Sequence, residues 1–137
     1  MSNDINYHDI LAEIAAFFRR RTDVALVFVF GSAASRTMTE GSDIDVAILF
    51  ELPSGFFKVD ALKDELSSML KREVDMVDLN TTGPVLKMQV LKKGVMVFAK
   101  DKRIYNRFFV DTVNQYDDLK QTRKDCERNI LKGRIYA

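Results

Sequence analysis

Apolar residues recur along this chain in two periods. Ile10, Leu11, Ile14, Phe17 and Phe18 follow helical spacing and predict a first helix over about Tyr7–Arg20. Val24 to Phe30 is instead a continuous apolar run rich in β-branched and aromatic residues, the mark of a strand buried on both faces. Gly31 ends it, and Ser32 to Ser42 is small, polar and loop-like, with room for one helical turn after Gly31. Ile44–Phe50 reads as a second strand, closed by Pro53-Ser54-Gly55. Val59, Leu62, Leu66, Met69 and Leu70 mark an amphipathic helix over about Phe56–Leu70.

A short third strand is expected at Val74–Leu79, then a break at Thr81–Pro84. Pro84 suits the start of a helix running to about Lys92 and ending at Gly94. Val95–Ala99 is a fourth strand. A long helix over about Ile104–Leu131 follows, with Tyr105, Phe109, Val113, Tyr116 and Leu119 on its packing stripe. Helices and strands in this order imply a mixed α/β (α+β) domain, a small sheet covered by helices.

Length adds that one domain, 1–137, accounts for the chain, with a core over about 7–100 and a C-terminal helix over about 104–131. Charge is balanced, 21 basic against 20 acidic residues, so no broad attraction to nucleic acid or anionic membrane is expected. Cys126 is the single cysteine, which excludes an intramolecular disulfide and fits a reducing compartment. Met1 to Asp9 lacks the basic start and apolar stretch of a secretory signal. The longest apolar run is far short of the roughly 20 residues of a bilayer span. A cytoplasmic protein is expected.

The candidate chemistry sits in Gly31 to Asp45. Asp43 and Asp45 are two apart at the start of a strand, so both side chains point to one face. Paired carboxylates repel unless a cation lies between them. Hard oxygen ligands of this kind suit Mg²⁺, which is held by one or two carboxylates plus substrate phosphates. Gly31 lets the backbone approach a ligand closely, and the N–H groups after it, with the Ser32 hydroxyl, suit phosphate oxygens. A phosphate cradle beside a metal pair would make a triphosphate site. No Walker-type Gly-x-x-x-x-Gly-Lys-Ser/Thr stretch is present.

Gly31-Ser32, ten residues, then Asp43-x-Asp45, with Ser42 before the first aspartate and an apolar strand ahead of the glycine, resembles the signature of the polymerase-β-like nucleotidyltransferase superfamily. The short chain is most similar to its minimal nucleotidyltransferase (MNT) group, and the resemblance covers roughly Val24 to Ala99. It implies a polymerase-β-like nucleotidyltransferase fold and a third carboxylate on a later strand. Asp75 matches that position; Asp78, three residues on, should face the other side of its strand. Ser35 stands where many members carry an arginine, with Arg36 shifted by one.

The resemblance further implies in-line displacement at the α-phosphorus of ATP with two Mg²⁺ ions. Asp43, Asp45 and Asp75 are then the catalytic and metal residues, with Gly31, Ser32 and Ser42 around the nucleotide. Asp75 would complete the acceptor-side site and take the acceptor proton. Such proteins resemble antitoxins that transfer AMP to a tyrosine of a cognate HEPN-domain ribonuclease toxin, which makes that toxin the expected partner. A non-catalytic antitoxin acting by steric contact, and a transferase for an aminoglycoside-like small molecule, are the competing classes.

Other features read as structural. Ser-Asp-x-Asp alone is ordinary loop chemistry, and Gly31-Ser32 alone an ordinary turn; together, and with Asp75, they read as a site. Ser42 could equally cap the loop. His8, the only histidine, rules out a His-rich metal site, and Cys126 reads as a packing residue. Arg19-Arg20-Arg21 reads as a solvated helix end, and the charges from Lys120 to Lys132 as a solvated face.

Overall fold

The computed structural model describes residues 7–31, 43–52 and 56–136. Ser32, Ser42, Ser35 and Arg36 lie outside the described residues. The elements are α1 (Tyr7–Arg19), β1 (Val24–Phe30), β2 (Ile44–Phe50), α2 (Phe56–Leu70), β3 (Val74–Asp78), α3 (Pro84–Lys93), β4 (Val95–Ala99) and α4 (Lys102–Tyr136). Apolar run and helical period therefore mark the same elements in sequence and structure, as the mixed α/β expectation required.

The four strands form one mixed sheet in the order β3-β2-β1-β4. β1 is antiparallel to both β2 and β4, whereas β2 and β3 are parallel and joined through α2. The two longest apolar strands are thus the inner pair, and six of the seven residues of β1 are buried. Helices cover both faces. Ile14 and Phe18 of α1 and Leu62 and Leu66 of α2 pack on Val27, Val29, Val46 and Ile48. Val90 of α3 and Phe108 of α4 pack on Leu26, Phe28 and Ala47. Alternation along β2 divides it between the layers: Ile44, Val46, Ile48 and Phe50 enter the first, Ala47 and Leu49 the second.

Local chemistry sets the element ends. Lys71 adopts φ 54°, and the Arg72 N–H donates to Ser67 O at 3.3 Å, closing α2 with a left-handed residue. Pro84 opens α3, and the Gly94 N–H donates to Val90 O at 2.8 Å to close it. Arg21, beyond α1, pairs with Glu65 of α2 and lies 4.6 Å from the centre of the Phe17 ring, so this arginine ties two helices together and is more than a solvated end.

The face of α4 differs from the expected stripe. Phe108 and Thr112 are the buried residues, while Phe109 is 45% and Leu119 43% exposed. Ile104, Phe108 and Thr112 recur every four residues and look onto the sheet, about 100° round the helix from Phe109. Tyr105 still packs on Phe28, ring centres 6.4 Å apart. The helix also runs on to Tyr136.

One side chain extends the sheet. The Phe50 N–H donates to Asn80 Oδ1 at 2.8 Å, and Asn80 Nδ2 donates to Phe50 O at 3.1 Å. The amide thus imitates a peptide group and adds a rung between β2 and the turn after β3. Asn80→Ala strands both backbone groups of a buried residue, and an expected loss of about 1–3 kcal/mol follows. Urea unfolding followed by circular dichroism should show the lowered midpoint with an unchanged slope.

Candidate active site

β2 and β3 start side by side because the Ile44 N–H donates to Glu73 O at 2.9 Å. The parallel register then sets Ile44 against Val74 and Asp45 directly against Asp75. Asp45 shares its strand face with Ala47 and Leu49, and Asp75 shares its face with Val77 and Leu79, so both carboxylates stand on the α3/α4 side of the sheet. On the other flank of β2, Asp45 is the register partner of Phe30, the last residue of β1. Gly31 follows immediately. The structure therefore brings Gly31, Asp45 and Asp75 to one end of the sheet, with the exposed Asp43 at the entry to β2.

The electrostatics of this corner centre on Asp45. Burial pushes its carboxyl above the ordinary value of 3.8, and the charges of Asp75 and then Asp43 push it further in the same direction. Among the described residues, no three carboxylate, imidazole or thiolate groups converge closely enough to form a complete metal cage. The arrangement is an open acidic corner whose members feel one another. A hard divalent cation fits it: Mg²⁺ takes one or two carboxylates and completes its shell with water and substrate phosphates, and a cation here would relieve the repulsion on Asp45.

Gly31 has a role that its sequence position does not announce. It adopts φ +74°, and a Cβ built on it would overlap Asp45 Oδ2. Besides the close approach to a ligand expected of it, this glycine approaches Asp45 closely in the folded chain. No local pattern signals that contact, because it depends on the pairing of β1 with β2. Asp78 behaves as its strand parity requires. Its Oδ1 accepts the Asn80 N–H at 2.9 Å, so it shapes the turn and stands apart from the acidic corner.

Similarity to known proteins agrees with this geometry. The family described as "Polymerase beta, Nucleotidyltransferase" matches residues 12–103. Protein adenylyltransferase MntA of Shewanella oneidensis is 32% identical over 108 residues, covering 77% of this chain and 76% of that protein. Among solved structures, a toxin–antitoxin complex with AMP-PNP contains a chain that superposes with a TM-score of 0.76 at 26% identity, covering 93% of this chain and 99% of the other. A second structure, of tri-AMPylated Shewanella oneidensis HEPN toxin in complex with MNT antitoxin, gives a TM-score of 0.73 at 25% identity, covering 91% of this chain and 98% of the other. With two adjacent strands aligning their aspartates and the family match running from α1 into α4, the chain belongs to the polymerase-β nucleotidyltransferase family.

Proposed function

We propose that this nucleotidyltransferase is an antitoxin that transfers AMP from ATP to a tyrosine hydroxyl of a HEPN-domain toxin. The observation that carries the reading is the placement of Asp45 opposite Asp75, beside Gly31, at the end of two adjacent strands. The relatives support the donor and the acceptor: one is a protein adenylyltransferase, one solved complex holds AMP-PNP, and another holds an AMPylated toxin.

In this reading Asp43 and Asp45 hold Mg²⁺, and Asp75 completes the site on the acceptor side. A metal held there would supply positive charge against the triphosphate and the developing oxyanion. Gly31, Ser32 and Ser42 are the residues this reading assigns to the phosphates, and Gly31 also makes its close approach to Asp45. A tyrosine of pKa about 10 is largely protonated at neutral pH and needs a base within hydrogen-bond reach. Asp75 takes that proton, the phenolic oxygen bonds to the α-phosphorus, the bond to the bridging oxygen breaks, and pyrophosphate leaves.

Intact-mass spectrometry of a purified HEPN toxin, mixed with this protein, ATP and Mg²⁺, tests the reading. Adenylate additions are expected with the native chain. Asp75→Asn should still bind toxin and AMP-PNP but slow transfer by roughly a hundredfold or more, the scale of general-base catalysis. An unmodified toxin that is nevertheless neutralised would replace transfer by steric binding.

A further inference from the structure

A second feature lies at the other end of the strands that carry the carboxylates. Leu49 and Leu79 stand four residues beyond Asp45 and Asp75 on the same face, about 13 Å along the strands. There, between the sheet and the first turns of α4, two recesses of about 870 and 250 Å³ adjoin and share Leu49, Asn80, Ile104 and Arg107. With four lining residues in common, the two recesses lie side by side and form one groove.

Its chemistry is uneven. Thr112 lines the smaller recess at 1% exposure, and its buried Oγ1 has no hydrogen-bond partner among the described residues. An orphaned buried hydroxyl is costly unless something answers it. Arg107 lines both recesses and makes no ion pair or hydrogen bond among the described residues. Among the described residues Lys87 donates only to the neutral Gln115 Oε1, at 3.3 Å, so no acid there compensates its charge. Glu51, the acid of the larger recess, is paired with Lys100 at 2.7 Å, which leaves Asp111 as the single opposing charge among the described lining residues. Leu79 and Phe108 supply an apolar floor.

We infer that this groove anchors an extended acidic segment of the protein acceptor, alternating carboxylate and apolar side chains. The inference rests on the protein-acceptor reading proposed above. A carboxylate of the segment accepts from the Arg107 guanidinium, which suits it by its planar pair of donors. Lys87 adds a second positive charge, the Thr112 hydroxyl finds its partner, and an apolar side chain lies on Leu79 and Phe108. Anchoring away from the reacting tyrosine supplies binding energy that holds the acceptor in place.

Two probes test it: the purified HEPN toxin, and a fluorescein-labelled peptide alternating aspartate and leucine. Calorimetry and anisotropy should show Arg107→Glu weakening both interactions at least tenfold, with AMP-PNP affinity unchanged. Thr112→Val should weaken them about threefold while raising the melting temperature of the free chain, since the orphan hydroxyl is gone. In transfer assays the KM for toxin should rise in the Arg107 variant. Undiminished affinity in both Arg107→Glu and the double variant with Lys87→Glu overturns the groove, as does failure of the native chain to bind either probe. If the native chain binds toxin but transfers no AMP, the adenylyl-transfer reading fails, and the variants still decide the groove by binding alone.

Discussion

Asp45→Asn is expected to abolish AMP transfer and, at the same time, to make the free protein more stable. The two effects share one cause. Burial and the neighbouring charges of Asp75 and Asp43 raise the Asp45 carboxyl above its ordinary value, so its ionised form destabilises the fold. A group whose folded pKa lies above its unfolded pKa costs stability at neutral pH, and that cost disappears as pH falls through the folded value toward 3.8. The variant carries no such charge. Without Mg²⁺ its melting temperature should therefore exceed that of the native chain at pH 7, and the gap should close as the buffer is taken toward pH 4. Mg²⁺ with AMP-PNP should stabilise the native chain strongly and the variant weakly, because a ligand stabilises the state it binds. Activity should fall by about a thousandfold or more, since a metal ion contributes several kcal/mol of charge stabilisation to the transition state. An equal response of both proteins to Mg²⁺ and nucleotide would remove Asp45 from the metal site.

Much of this corner is legible in local sequence. The run from Val24 to Phe30 has no polar residue and is followed by Gly31, so a buried strand and its end are both written there. Asp43-Ile44-Asp45 opens the next strand, and alternation alone puts its carboxylates on one side. What local sequence does not carry is pairing. That Asp45 meets Asp75 depends on β2 and β3 lying parallel in one register, a contact thirty residues apart in the chain and set by the packing of α2 between them. The same limit explains α4. Tyr105, Phe109, Val113 and Tyr116 make an apolar stripe, yet Phe108 and Thr112 are the residues buried, because the helix meets Phe28 and Leu79 through Phe108, with only Tyr105 of the stripe reaching Phe28. A buried threonine hydroxyl and an arginine with no partner among the described residues are likewise facts of tertiary placement; as letters, Thr112 and Arg107 are two ordinary residues of a charged helix.

Gly31→Ala should damage both the fold and the nucleotide site, and a second substitution separates the reasons. The backbone at Gly31 has φ +74°, a conformation that costs a residue with a side chain about 1–3 kcal/mol. The added Cβ would also overlap Asp45 Oδ2, so the aspartate must swing away or the turn must open. Either movement pulls the proposed metal ligand from its place opposite Asp75. AMP-PNP affinity with Mg²⁺ should therefore drop by more than it does in Ser32→Ala, where the loss expected is that of the one proposed hydrogen bond, roughly 0.5–1.5 kcal/mol. A double-mutant cycle divides the stability cost. In an Asp45→Ala background the carboxylate that the Cβ meets is absent, so Gly31→Ala should cost only the backbone share. Urea midpoints of the native chain, the two single variants and the double variant give the coupling directly. A Gly31→Ala cost that is the same in both backgrounds would mean the glycine is required for its backbone angle alone, and nucleotide affinity should then survive in any variant that folds. A cost that shrinks when Asp45 is removed would show that the glycine is there to make room for the carboxylate.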